Sequence, residues 1–461
     1  MGWVYVVELK EEVFSYLEEH RDDMVRFLQR LVRIDTQVPP GLNYDKLCAV
    51  MAEKFRECGC EVEIHDATEE YLKLSGRDLM GLEGPRSNVV ARYRGKTGKP
   101  VLHISAHIDT AAIQKEGWTV GPLGGEITED NPYGTSSIDS GGGYIWGRGV
   151  ADDKGECVAM TYALEALHAL GVRLKGDLIL TGNCDEEIGG VAGLGFLIRE
   201  GLVKANYGIQ LDGGMTGIGL AAQGRTRFMV RTIGKSYHGQ LPILGVNAIE
   251  KMSKINVALN DYWRNVLLKR QRTVPGIELS PDLKEVGIDK LTAMLNIGTI
   301  HGGVQGATVP DKCEEEVLRG MIPGETFDEV KKEFISVIEG VKATDADLEY
   351  EVEIINTREG YVVSADSPWA QEARAIVKEV IGKELPFTGT LGSTDMNYQV
   401  NPYKRPKTGE LVFPGMPCVN FGIGGAYSRG HKQDESASID ELVACAKIVA
   451  LMYMRKLGVC E

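Results

Sequence analysis

The chain has little that would take it to a membrane or a nucleic acid. None of its 461 residues fall in an apolar run approaching the length of a transmembrane helix. MGWVYVVEL at the N-terminus is apolar but short, and it lacks the charged start of a signal peptide. Basic residues are in deficit, 51 against 66 acidic, and the resulting charge of −15 argues against nucleic acid or anionic lipid as a partner. The nine cysteines form no CxxC pair, and the one close pair, Cys58-Gly-Cys60, reads as structural. Reduced thiols and a cytoplasmic location are therefore expected. No internal repeat or low-complexity tract stands out. What remains is an ordinary globular composition, 43% hydrophobic and 25% charged, on a chain too long for one core.

Hydrophobic periodicity predicts helices over residues 11–34 and Asp45–Cys58, the second stopped by Gly59. Four short apolar runs read as strands: SNVVARYR, PVLHISAHID, DLILTGNCDEE and YGIQLDGG, with an alanine-rich helix from Gly155 to Leu170 among them. Strands alternating with helices imply an α/β domain on a mostly parallel sheet, with functional residues at the carboxyl ends of its strands. Thr128–Gly143, rich in Gly and Ser, reads as a surface loop. Near residue 224 the pattern changes to strand-helix-strand-strand-helix-strand, closed by LEYEVEII, which suggests an inserted α+β domain with an antiparallel sheet. The expected division is 1–223 and 346–461 for one domain, and 224–345 for the insert.

Potential metal ligands recur inside short strings: His107-x-Asp109, Asp152 in GRGVADDKG, Glu186-Glu187 in DEEIGG, Asp212 in QLDGG and His431 in GHKQDE. Two imidazoles with several carboxylates form the donor set of a two-metal hydrolytic centre, suited to zinc, with manganese or cobalt as substitutes. His107 and Asp109, two apart at a strand end, point the same way, so one can ligate while the other fixes its tautomer. Adjacent Glu186 and Glu187 cannot both face one side of a regular strand. One can ligate while its neighbour serves as general base. His103 reads as packed in the sheet, His301 as part of a Gly-rich turn, and Cys184 as non-catalytic.

Taken in order, these strings resemble the dinuclear-zinc amidohydrolases that include aminoacylases, acetylornithine deacetylase, succinyl-diaminopimelate desuccinylase, glutamate carboxypeptidase and cytosolic dipeptidases. The resemblance runs from His107 to Glu435 and implies a zinc-exopeptidase-like catalytic domain with an inserted lid and dimerisation domain. It implies two divalent ions, one on His107 and Asp212 and the other on Glu187 and His431, with Asp152 bridging. Glu186 would be the general base and Asp109 the residue that orients His107. In the insert, His238 of SYHGQLPILGVNAI would stabilise the oxyanion, and Arg319 of VLRGMIPGET would bind a substrate carboxylate. Thr394 and Asp395 of LGSTDMN, with Gly424 and Gly425, would form substrate-binding loops. Ala307 and Val317 depart from the family pattern in the insert and weaken its substrate contacts. A homodimer through the lid is also implied.

The expected reaction is metal-dependent hydrolysis of an amide bond in a small amino-acid-derived substrate. Asp212 leans toward a free-amino dipeptide, because deacylating relatives tend to carry glutamate there. The single compact insert leans toward an N-acyl amino acid. The contrasting reading is a non-catalytic metal-binding or scaffold homologue, which would show a broken base or ligand; none is broken here.

Overall fold

A computed structural model describes residues 2–138, 141–279 and 281–460, with the side chains of 2–7, 281 and 282 left aside. Met1, at the head of the apolar string, and residues 139 and 140 of the expected loop lie outside the described residues. The chain forms two compact units. One comprises Met1–Leu220, Val363–Thr388 and Thr394–Glu461, and the other Ala221–Val362 with Gly389–Ser393.

Along the chain the first unit contains α1 (Gly2–Glu19), α2 (Arg21–Val32), α3 (Tyr44–Glu57), β1 (Glu61–Asp66), β2 (Ser87–Tyr93) and β3 (Val101–His107). There follow α4 (Lys154–Ala169), β4 (Asp177–Asn183), β5 (Tyr207–Leu211) and β6 (Ile218–Ala222), whose last two residues already count with the second unit. The second unit is built from β7 (Gly224–Ile233), α5 (Ala248–Asn265), β8 (Leu295–Gly302), β9 (Lys312–Met321), α6 (Phe327–Lys342) and β10 (Glu349–Arg358). The first then resumes with α7 (Pro368–Ile381), β11 (Cys418–Phe421) and α8 (Ile439–Leu457).

Four strands at the centre of the first unit's sheet run parallel in the order β11-β5-β3-β4. Antiparallel strands flank them, β6 beside β11 and β2 then β1 beyond β4. The sheet is thus mixed, and only its centre is parallel. Both parities of β3 are buried, Leu102, Ile104 and Ala106 as fully as His103, Ser105 and His107, so both faces are covered. The polar parity is satisfied internally. Gln399 donates to His103 Nδ1 (2.9 Å), His103 Nε2 lies 3.0 Å from Thr181 Oγ1, and Ser105 donates to Asn183 (2.6 Å). Burial pushes the His103 pKa down to about 3, which keeps the ring neutral. The expected helix over 11–34 is two helices, because His20 leaves helical geometry (ψ 16°) and its ring turns back to the Tyr16 carbonyl at 2.8 Å.

The second unit is an antiparallel four-stranded sheet ordered β8-β9-β7-β10. β7 alternates strictly: Thr226, Phe228, Val230 and Thr232 are buried and the intervening residues half-exposed, as a sheet covered on one face requires. Phe228, Val230 and Val317 join Met252, Ile255 and Leu259 of α5 and Phe334 and Ile338 of α6 in one core. Asn247 caps α5 and a Thr326–Glu329 capping box starts α6. β10 pairs with β7 over nearly its whole length, so the insert extends past the expected boundary at 345. His301 stands on β8, an exposed edge position rather than a turn.

Candidate metal centre

Three neighbouring parallel strands deliver four of the candidate ligand and base residues. His107 ends β3, Asp212 follows β5 at once, and Glu186 and Glu187 lie on a single 3-10 turn just after β4. A sheet makes this convergence inevitable: strands that end together place the next residues of each on one rim. Asp152 arrives from the loop before α4, and His431 from a loop before α8.

The ligand atoms fall into two groups. His107, Glu186 and Asp212 form one and Asp152, Glu187 and His431 the other, each with donor atoms within 4.8 Å of one another. Asp152 joins them, its Oδ1 lying 2.9 Å from His107 Nε2 and its Oδ2 3.0 Å from His431 Nε2. Glu187 Oε2 completes the second group, 3.0 Å from the same His431 nitrogen. The tandem glutamates therefore divide between the two groups.

Buried negative charge exceeds what two imidazoles neutralise. Burial opposes a charged His107, yet Asp153, Asp109 and Asp152 outweigh it and raise its pKa. Asp152 and Glu187 raise His431 to about 11. Burial, then the neighbouring Glu186, pushes Asp212 well above the carboxylate range, and burial with Asp152 raises Glu187. Asp212 Oδ2 is buried and has no hydrogen-bond partner among the described residues. An orphaned carboxylate oxygen beside surplus carboxylates and two inward imidazole nitrogens fits divalent cations.

Carboxylates behind the groups fix the loops that carry them. Asp109 holds His107 through its carbonyl, 2.9 Å from Nδ1, while its carboxylate stands 3.5 Å from that nitrogen. The carboxylate also accepts the amides of Glu186 and Glu187, both at 3.1 Å. Its side chain thus serves the glutamate turn as well as His107, beside which it also stands. Asp185 starts that turn at φ 63° and is paired with Arg86 (2.9 Å) and Tyr44 (2.9 Å), all three buried. Glu435 accepts Gly149 N (3.0 Å), Ala151 N (3.1 Å) and Arg148, which ties the loop of His431 to the loop of Asp152. Sequence reasoning quoted Asp185 and Glu435 inside their strings but gave them no task. The signal was present: acidic residues crowd each ligand string beyond what the ligands need.

The expected substrate contacts divide. Thr394 and Asp395 are buried in the first unit, where Asp395 accepts Asn183 Nδ2 at 2.7 Å. A Cβ on Gly190 would lie 1.9 Å from Asp395 Oδ1, which explains glycine in DEEIGG. Gly424 N donates to Glu441 (2.7 Å) and Gly425 N to Ser428 (3.3 Å), so neither amide is left for a substrate. In the second unit His238 is exposed on a loop, its Nδ1 accepting the Gln240 amide (3.2 Å), which leaves the proton on Nε2. Arg319 contradicts its expected role. It is fully buried on the helix-covered side of β9, and its guanidinium pairs with Glu325 at 2.7 Å. Strand parity puts it with Val317 and Met321, in the core and out of reach of a substrate carboxylate.

A profile of the Peptidase family M20/M25/M40 matches residues 103–455. The chain belongs to that family. As an M20 hydrolase it acts on amide C–N bonds and depends on metal. It is 23% identical over 476 residues to the N-formyl-4-amino-5-aminomethyl-2-methylpyrimidine deformylase of Bacillus subtilis, covering 96% of this chain and 97% of that one. It is 26% identical over 342 residues to a probable succinyl-diaminopimelate desuccinylase of Staphylococcus epidermidis, covering 71% and 79%. The fold matches the dipeptidase Dug1p of Saccharomyces cerevisiae with a TM-score of 0.75 at 15% identity, covering 98% and 99% of the two chains.

Proposed function

We propose that this M20 hydrolase removes a small acyl group from an N-acylated amine or amino acid, using two zinc ions. The observation that carries the dinuclear reading is Asp152, whose two oxygens reach the two groups from one carboxylate. His107 and Asp212 would hold one ion and Glu187 and His431 the other. The ions, when bound, lower the pKa of water and polarise the scissile carbonyl. Glu186, nearly buried on the same turn as Glu187, takes the proton from the attacking water and returns it to the leaving nitrogen. His238 offers an Nε2–H donor suited to a developing oxyanion. The acyl-substrate assignment is supported by the deformylase and desuccinylase relatives, which match by sequence over most of the chain. A second reading, a free-amino dipeptide, is favoured by Asp212 in place of the glutamate of deacylases.

A cytoplasmic location is supported by cysteines that are all unpaired, and a homodimer by the exposed outer edge of β8, where Thr299, Ile300 and His301 leave a strand open to a second copy. The deciding experiment compares N-formyl, N-acetyl and N-succinyl amino acids with the matching free-amino dipeptides on zinc-loaded protein, with and without chelator. Faster chelator-sensitive turnover of the acylated set is expected. Faster turnover of the dipeptides would overturn the acyl assignment and vindicate Asp212 as the guide.

A further inference from the structure

We infer that Tyr133 and Asp434 form a clamp that positions His431 for its metal ion, an inference that rests on the dinuclear reading above. The loop from Arg429 to Asp434 holds three non-glycine residues in the left-handed region: Arg429 at φ 57°, His431 at 65° and Asp434 at 55°. L-residues disfavour that region, so the surroundings must impose it. Asp434 is almost wholly buried, and both its oxygens are taken from one side. Thr119 N donates to Oδ1 (2.8 Å) and the Tyr133 hydroxyl donates to Oδ2 (2.8 Å). The Arg429 guanidinium lies 4.0 Å from the centre of the Tyr133 ring, and Gln114 Nε2 donates to the His431 carbonyl (3.0 Å). His431 itself is 58% exposed at its side chain, so packing does not fix the ring. What fixes it is the pair of segments around Gln114–Thr119 and Tyr133, clasping the loop on both sides of the ligand. Tyr133, in the stretch that reads as a surface loop, is therefore structural support for the centre.

The clamp touches the group of Asp152, Glu187 and His431 and leaves the group of His107, Glu186 and Asp212 alone. Its loss should weaken one ion and spare the other. The test uses the full-length protein stripped of metal and titrated with zinc or cobalt by calorimetry, with cobalt absorption as a second readout. Tyr133→Phe and Asp434→Ala are each expected to weaken one of the two binding steps by about 10- to 100-fold while the other step stays within about threefold, a margin set by ordinary additivity errors. Asp434→Asn is expected to rescue most of the loss, since its amide oxygen still accepts Thr119 N and its NH2 can donate to the phenol oxygen. Two unchanged binding steps in both variants would overturn the clamp while leaving the dinuclear reading intact. Equal weakening of both steps, with a fall in melting temperature, would overturn it by making the pair merely structural. A wild-type protein that binds fewer than two ions would overturn both.

Discussion

Replacing Asp109 by alanine separates two accounts of this buried carboxylate. If its only task were to orient His107, the damage would be confined to the group containing that histidine. The distances say otherwise: the carboxylate is 3.5 Å from His107 Nδ1 but 3.1 Å from each of the amides of Glu186 and Glu187. Those glutamates belong to different groups, so a displaced turn disturbs both. Each amide left without an acceptor in a buried site costs about 1–3 kcal/mol, so the turn loses about 2–6 kcal/mol of support. Expressed through ligand placement, that corresponds to about 10- to 100-fold weaker binding at each ion, the range found when a supporting hydrogen bond is lost. Calorimetric titration of metal-stripped Asp109→Ala with zinc should show both steps weakened. His107 should keep its orientation, because its Nδ1 is held by the Asp109 carbonyl (2.9 Å), which the substitution retains. One weakened step beside one that stays within about threefold would refute the argument and leave the orienting of His107 as its only role.

Glu186→Gln should retain both ions and lose about 10²- to 10⁴-fold in kcat, the contribution of a general base; a variant that also loses an ion would make Glu186 a ligand of the His107 group. Arg86→Met should destabilise the first unit by about 3–5 kcal/mol, because it strands the buried Asp185 carboxylate. Denaturant unfolding measures this, and a loss below about 1 kcal/mol would show that Tyr44 alone suffices. Glu315 is buried in the second unit, where burial outweighs the opposing contact with the Asn256 side chain and pushes it up to about 7. It stays protonated in the fold while the unfolded chain ionises near 4.5, so stability is full below that pH and is lost as pH rises through about 7. At about 1.4 kcal/mol per tenfold change, the loss above pH 7 is about 3 kcal/mol. Glu315→Gln, whose amide could donate to the unpaired Asn256 Oδ1, should match the wild type at pH 5 and exceed it at pH 8. Parallel stability curves across that range would refute this.

What the sequence made legible follows from where the information lies. His107, Glu186, Glu187 and Asp212 could be read as a rim because each ends or follows a strand, and strand ends are local signals that a parallel sheet brings together. Asp152 and His431 are far from that rim in sequence and sit on loops, and only the ordered strings tied them to it. The roles of supporting groups were less legible, since they depend on a distance of half an ångström. Asp109 has the spacing of an orienting residue, and the period of a strand cannot say that its carboxylate also reaches the next strand's turn. Arg319 failed for the opposite reason. Its strand and parity were readable, but the partner that decides its fate, Glu325, stands six residues on, beyond the strand end, where strand periodicity does not reach. A charged residue on the apolar parity of a one-sided sheet is buried, and buried arginine requires a carboxylate. The acidic residue just before α6 was the clue, and it places Arg319 in the folding of the insert rather than in its chemistry.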